Sequence, residues 1–265
     1  MHAIWITTMP SKELNAALDA AEAAAEVIRT LYWRDVGVRI KADASPVTEA
    51  DVRSEEAIRA VLSERFPSFG FYGEETGQHD TGAESVWLVD PIDGTKSFLR
   101  ECPFFSTQIA LLRAGHFVLG VSSAPIYGER AWAEKGKGAY LNGRLIRVSD
   151  TSDLASAFVS SGNLKSLARS REWSGFGDLI RRTSRTRGYG DFVHYHLLAR
   201  GALEVVIESD VNILDIAALT VIVHEAGGTF TDLQGEAVTL DTTSVLATNG
   251  PLHSIVRQVL CGERA

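Results

Sequence analysis

The sequence predicts an α/β fold, a layered α+β sandwich with mixed, largely antiparallel sheets in two tightly packed lobes. Three observations predict it. Helical periodicity marks residues 11–33 and 52–66, strand-and-turn patterning fills 105–150, and helix and strand alternate from there on. Helices, then a meander, then alternation build layers of both kinds rather than one wound sheet. No repeat or low-complexity linker interrupts the 265 residues, so lobes at 1–150 and 151–265 are expected to share one interface.

Each element has a local reason. Ser11 can cap a helix through "SKELNAALDAAEAAAEVIRTLYW", where Leu14, Leu18, Ala21, Ala25 and Ile28 recur at helical spacing. "KADASPVTEAD" reads as an irregular polar stretch, and Thr48 with Asp51 forms a capping pattern at its end. The helix "VRSEEAIRAVLSERF" then puts Ile58, Val61, Leu62 and Phe66 on one face. A short extended piece, Gly70 to Tyr72, ends in Gly73-Glu74-Glu75, and a strand from Val86 to Val89 leads to Asp90. "FSTQIALLRAGHFVLGVSSAP" is a hairpin over Ala114-Gly115, and "ERAWAEKGKGAYLNGRLIRVS" carries the turn signal Asn142-Gly143.

In the second half, "AFVSSG", "LEVVIES" and "SVLATNG" read as strands. "FGDLIRRTSR" and "DFVHYHLLARG" read as helices. "ILDIAALTVIVHEAGG" reads as an amphipathic helix closed by paired glycines, and "PLHSIVRQVL" as a helix with Pro251 in its first turn.

Composition removes several function classes. With 45% hydrophobic and 23% charged residues the chain is an ordinary globular protein. A net charge of −8 argues against a nucleic-acid binder, which carries a basic surplus. It leaves room for a small anionic substrate if metal ions supply the local positive field. Cys102 and Cys261 form no CxxC pair, so a zinc knuckle or redox dithiol is not expected; two reduced structural thiols in a cytoplasmic protein are. "MHAIWITTMPSKEL" lacks a signal-peptide pattern, and no apolar run approaches the ~20 residues of a membrane span.

The chemistry concentrates in "WLVDPIDGTKSFLR", residues 87–100. An apolar strand delivers Asp90 and Asp93 into a Pro/Gly turn, where two close carboxylates repel unless a cation sits between them. Glu74, followed by Glu75, ends another strand, and Asp215 opens a helix after the strand that holds Glu208. Acids gathered from strand ends suit a divalent ion with oxygen ligands, above all Mg²⁺. Gly94 and Thr95 precede "KSFL", so the turn doubles as the start of a short helix whose free amides can cradle phosphate. Together these features suggest metal-assisted phosphate hydrolysis. "IDGT" is also similar to the haloacid-dehalogenase phosphatases, whose paired aspartates stand two apart. Here Pro91 stands at that position and Asp90 is three away, which puts a nucleophilic aspartate out of register.

"GEE" at 73–75, "DPIDGT" at 90–95, "LDIAAL" at 214–219 and "EAGG" at 225–228 stand in the order of one family. The chain resembles the inositol monophosphatase superfamily of Mg²⁺-dependent, lithium-sensitive phosphatases over nearly its whole length. The resemblance implies an αβαβα sandwich, a homodimer and two or three Mg²⁺ per site. It implies that Glu74, Asp90 and the Ile92 carbonyl bind one ion, and that Asp90, Asp93 and Asp215 hold a second. It implies that the Gly94 and Thr95 amides hold phosphate, that Asp51 and Thr95 orient a metal-activated water, and that Glu75 supports them from behind. One departure is Leu214, where the family carries Trp. Lys41 falls in the family's loop near the site.

Within the superfamily, "YGDF", "SAP…ERAWAEKGKGA" and "ATNGPLH" are similar to the bacterial histidinol-phosphate phosphatases. Asp191, following Gly190, adds an acid to Glu208 and favours a substrate with a positive charge besides its phosphate. The expected function is Mg²⁺-dependent hydrolysis of histidinol phosphate, with inositol phosphate as the alternative ester. A catalytically silent metal- and phosphate-binding regulator is the alternative from another class. Plainer readings stand beside these. Asp191 can be a helix cap, Glu208 a strand-end surface acid, and Asp215 a dipole-matching acid. His194 and His196, two apart on a helix, are expected one buried and one exposed. Arg181, Arg182, Arg185 and Arg187 read as a solvated face or subunit contact, and Lys135 and Lys137 lack a P-loop frame.

Overall fold

The structure, a computed structural model, describes residues 10–34, 36–41 and 46–262. Helix α1 (Lys12–Leu31) starts as expected, with Ser11 Oγ accepting the Leu14 amide at 3.0 Å. Within the stretch 41–51 expected to be irregular, Pro46–Thr48 forms β2 and pairs antiparallel with β1 (Val38–Ile40) just before it; residues 42–45 of that stretch lie outside the described residues, as does the N-terminal segment 1–9. Thr48 and Asp51 form the capping box of α2 (Glu49–Arg65).

There follow β3 (Gly70–Gly73), β4 (Gly77–His79), β5 (Ser85–Asp93) and α3 (Thr95–Phe98). The meander is β6 (Ser106–Arg113), β7 (His116–Ala124), β8 (Glu129–Glu134), β9 (Ala139–Leu141) and β10 (Arg144–Ile146). These strands make one sheet of order β10-β9-β8-β7-β6-β5-β3-β4, antiparallel except where β3 meets β5. Its tight turns fall at Ala114-Gly115 and Asn142-Gly143, all four residues at positive φ, as two-residue hairpins require.

The second half holds β11 (Phe158–Ser161), α4 (Leu164–Leu167), α5 (Trp173–Arg182), β12 (Arg185–Arg187) and α6 (Asp191–Ala199). After them come β13 (Val205–Ser209), α7 (Ile213–Glu225), β14 (Thr229–Thr231), β15 (Ser244–Thr248) and α8 (His253–Cys261). The smaller sheet has order β12-β11-β13-β15-β14, with the first three strands parallel. The segment expected as one helix through residue 185 stops at Arg182, because Arg185–Arg187 pairs as an edge strand on β11. Pro251 lies in the turn before α8 rather than inside it.

Five layers result. Leu14, Ala17 and Ala21 of α1 and Ile58 of α2 pack with Trp87, Val89 and Ile109 on one face of the large sheet. The alternate residue Leu88 points to the opposite face, into the core that α6 and α7 share with Val206, Val245 and Ala247 of the small sheet. Helices α5 and α8 cover the outer face of the small sheet through Phe176, Leu179, Val256 and Leu260. The order is αβαβα, as expected. Helix α7 is not amphipathic: ten of its thirteen residues are buried, because it lies between two sheets and has no wet face. Leu214, at the family's Trp position, is part of that core. Both cysteines are free, and Cys261 is exposed rather than an interior thiol.

Candidate active site

The strand β5 solves a geometric problem. Residues three apart on a regular strand face opposite ways, so Asp90 and Asp93 would point apart. In the pairing with β6, Asp90 lies opposite Gln108 and Asp93 opposite Ser106, so three steps on β5 match two on β6. This bulge adds one residue and returns both acids to one side. The Ile92 amide donates to Asp90 Oδ1 at 2.9 Å and Thr107 Oγ1 donates to the Pro91 carbonyl at 2.8 Å, which hold the irregular turn. Gly94 then takes φ +94°, and the α3 amides start at Thr95. A β-carbon at Gly94 would approach the Phe104 carbonyl oxygen to 2.9 Å.

Two more acids arrive by one device. Asp51 and Asp215 are each the third residue of a helix and each closes a capping box. Asp51 Oδ2 accepts from Thr48, leaving Oδ1 to accept the Thr95 hydroxyl at 3.0 Å; that hydroxyl is also 3.2 Å from the Ile92 carbonyl. Asp215 Oδ2 accepts the Asn212 amide at 2.9 Å. One oxygen serves the helix and the other is free for the site, so cap and functional readings of these residues are compatible.

Among the described residues, Asp90, Asp93 and Asp215 each present a carboxylate oxygen within 4.8 Å of the others. Burial raises all three pKa values, and neighbouring carboxylates add to it: Asp93 and Asp215 at Asp90, Asp215 at Asp93, and Glu74 and Glu208 at Asp215, which is pushed up to about 7 although a hydrogen bond with Asp90 works the other way. Glu74 raises Asp90 further, and Asp191 and Glu208 raise Asp93. Such a set is short of positive charge. Its donors are all hard oxygens, with no imidazole or thiolate among the clustered acids, so it fits a Mg²⁺-like ion.

Glu74 itself is turned toward a protein cation. Lys41 Nζ lies 2.9 Å from Glu74 Oε1 and 2.7 Å from Glu75 Oε1. Burial works against the charge on Lys41, but Glu75 and Glu74 more than offset it and hold it above the usual lysine range. Burial raises Glu75 as well, against the pull of Lys41. Glu55 of α2, fully buried, accepts the Glu75 and Thr76 amides at 2.8 Å each and so ties down this turn. Sequence reasoning missed Glu55, although it stands four residues after Asp51 and so shares its helix face.

A cavity joins this cluster to the two acids expected to read the substrate: Asp93 and Asp215 line it together with Asn163, Asp191, Tyr195 and Glu208. Glu208 is not a surface acid. It is 5% exposed, accepts Tyr195 Oη–H at 2.7 Å and faces His194 Nε2 at 3.1 Å. Asp191 opens α6 at φ +46°, and among the described residues it makes no capping bond. Burial and then Glu208 push its pKa up to about 6. His194 and His196 are both buried, contrary to expectation; His196 reaches Glu129 at 3.0 Å and Ser122 at 2.9 Å across the layer boundary. Arg181, Arg182, Arg185 and Arg187 are solvated at the edge of the small sheet and do not line the cavity.

Known proteins share this arrangement. The family model for the inositol monophosphatase family matches residues 9–263. A histidinol-phosphatase of Mycobacterium tuberculosis is 39% identical over 254 residues, covering 94% of this chain and 97% of that protein. An inositol-1-monophosphatase of Rhizobium meliloti is 32% identical, covering 86% of this chain and 87% of its own. The crystal structure of the extragenic suppressor protein suhB from Bartonella henselae superposes with a TM-score of 0.86 at 30% identity, over 94% and 98% of the two chains. With acids from four separate elements gathered at one bulged strand end, and with family and structural matches spanning the same length, this chain belongs to the inositol monophosphatase family.

Proposed function

We propose that the protein is a Mg²⁺-dependent phosphomonoesterase whose substrate is histidinol phosphate. One observation carries the reading: a single cavity runs from the acids Asp93 and Asp215 to the acids Asp191 and Glu208. A phosphate ester with a cationic alcohol part matches both ends. Three relatives that bear the name histidinol-phosphatase, at 34–40% identity, support this ester over inositol phosphate, where the relatives so named stand at 32–34%.

In this reading Glu74, Asp90 and the Ile92 carbonyl hold one ion, and Asp90, Asp93 and Asp215 hold a second, with a third optional. Bound by these residues, the ions would supply a nucleophile at neutral pH and would neutralise charge on the phosphate and the leaving oxygen. Gly94 and Thr95 donate their amides to phosphate oxygens at the start of α3. Thr95 Oγ1 takes a proton from the attacking water as it passes its own to Asp51 Oδ1, along the 3.0 Å hydrogen bond. Burial raises the pKa of Asp51, which makes it the better base. Glu75 stays on Lys41 and steadies the turn that bears Glu74. Asp191 and Glu208 bind the cationic alcohol part. The same reading includes a chain divided near residue 150, lithium sensitivity, a homodimer and a cytoplasmic setting; no helix among the described residues is long and apolar enough to cross a membrane.

The test is phosphate release from histidinol phosphate and from myo-inositol phosphate, with and without Mg²⁺. Faster turnover of histidinol phosphate, lost without the ion and in Asp93→Asn, is expected. Equal or faster turnover of inositol phosphate overturns the substrate and leaves the mechanism; no release from any monoester favours a silent binding protein.

A further inference from the structure

The residues behind Glu208 form a closed chain of hydrogen bonds that the reaction itself does not use. The Tyr189 amide donates to Ser160 Oγ at 3.2 Å, and Ser160 Oγ lies 3.3 Å from His194 Nδ1. His194 Nε2 lies 3.1 Å from Glu208 Oε2, and the Tyr195 hydroxyl donates to that same oxygen at 2.7 Å. Ser160, His194 and Tyr195 are each 0–1% exposed. An ionised Glu208 can only accept, so Nε2 carries the imidazole proton and Nδ1 accepts the Ser160 hydroxyl. Every donor in the chain then has one acceptor, and the order of protons is unique.

The consequence falls on the other oxygen of Glu208. Oε2 is saturated by two donors, whereas among the described residues Oε1 accepts no hydrogen bond. Oε1 rests against Gly162, where a β-carbon would come within 1.9 Å of it, so only glycine leaves room for the carboxylate in this pose. Glu208 lines the cavity with Asp191, and the Tyr189 amide that ends the chain stands two residues before Asp191. Ser, His and acid stand in the order of a nucleophilic triad, but Ser160 is fully buried and does not line the cavity. The work of this group is orientation.

We infer that Ser160, His194 and Tyr195 are positioning residues that present Glu208 Oε1, beside Asp191, as a fixed acceptor for the protonated amine of an amino-alcohol phosphate. This rests on the substrate reading above and deepens it. Two acids alone would attract a cation; a locked oxygen selects where its N–H donors point, and the lock lowers the ordering cost of binding. His194 and Tyr195 therefore act on substrate choice through Glu208, not on the phosphate.

The test compares wild type, Tyr195→Phe and His194→Gln on histidinol phosphate and on glycerol 2-phosphate, whose alcohol part is uncharged, at saturating Mg²⁺. Tyr195→Phe removes only a hydroxyl, and His194→Gln keeps one donor for Glu208 while breaking the link to Ser160. The expected result is a fall of about tenfold in the ratio of kcat/KM for the amino ester over the glycerol ester, carried by KM. Glu208→Gln is expected to add little to that loss on the Tyr195→Phe background, because both changes act on one contact. An unchanged KM for the amino ester in the folded variants overturns the inference, and so does an equal loss on both esters. Wild type that cleaves glycerol 2-phosphate but shows no preference for the amino ester overturns the substrate reading instead.

Discussion

Glu55→Gln isolates the support beneath the acidic turn. Wild-type Glu55 gives one oxygen to the Glu75 amide and one to the Thr76 amide, both at 2.8 Å, in full burial. Glutamine keeps one acceptor and turns an NH₂ group toward the other N–H. A hydrogen bond to a charged acceptor contributes roughly 1.5–3 kcal/mol, so the variant should lose about 2 kcal/mol of stability. The turn cannot move aside cheaply, since Gly73 already lies so close that a β-carbon there would sit 2.5 Å from the Glu55 carboxylate. Glu74 rides on that turn, so Mg²⁺ affinity should fall about tenfold, the usual effect of removing a group that supports a ligand. Urea denaturation with an unchanged m-value reads the first effect, and calorimetric Mg²⁺ titration reads the second. A less stable variant with wild-type Mg²⁺ affinity would refute the reasoning: Glu55 would then hold the fold and not the site.

Other outcomes follow from the same geometry. Asp191→Asn keeps a residue tolerant of φ +46°, so the fold should be unchanged while KM for histidinol phosphate rises; a loss confined to kcat contradicts a binding role. Metal stabilisation should grow with pH. Asp90, Asp93 and Asp215 have raised pKa values, so the metal-free fold holds protons that the unfolded chain releases, and its stability from these groups falls as pH rises above about 4, for Asp215 up to about 7. An ion must displace those protons, so the Mg²⁺-induced rise in thermal midpoint should be larger at pH 8 than at pH 6. Burial holds His196 below its usual pKa, which costs stability below about pH 6.5, but that contribution cancels in the difference; an equal rise at both pH values refutes the charge argument. Gly120→Ala should cost about 3 kcal/mol or more, because its β-carbon would lie 2.3 Å from the Ala218 carbonyl oxygen and push α7 off the sheet. A thermal midpoint within a degree of wild type would show that the two layers have slack.

Much of the candidate site was legible because its acids are local signals. Asp90 and Asp93 stand out as charges at the end of an apolar run, and Thr48–Asp51 carries its own capping pattern. What stayed hidden depends on atoms far apart in the chain. Glu55 looks like any helix-surface acid until the Glu75 and Thr76 amides arrive above it. His194 and His196, alike in sequence, were expected on opposite sides of a burial boundary, yet α6 lies within a layer and each found its own acid, Glu208 and Glu129. The amphipathic reading of α7 failed for a different reason: residues 213–225 are apolar nearly all round with no polar stripe, which suits a helix enclosed between two sheets.

By itself, the sequence determined the longer helices and strands, the two tight hairpin turns, the caps at Ser11 and Thr48 and the identity of the acids. These depend on neighbours within a few residues, and short-range sterics and hydrogen bonding decide them. Only the tertiary structure decided that the three-residue step from Asp90 to Asp93 lands on one face, through a bulge set by pairing with β6. It also decided that Glu208 is buried and locked rather than solvated, since that state exists only where β13, α6 and Gly162 meet. Burial and register are properties of what lies opposite a residue, and no local pattern encodes them.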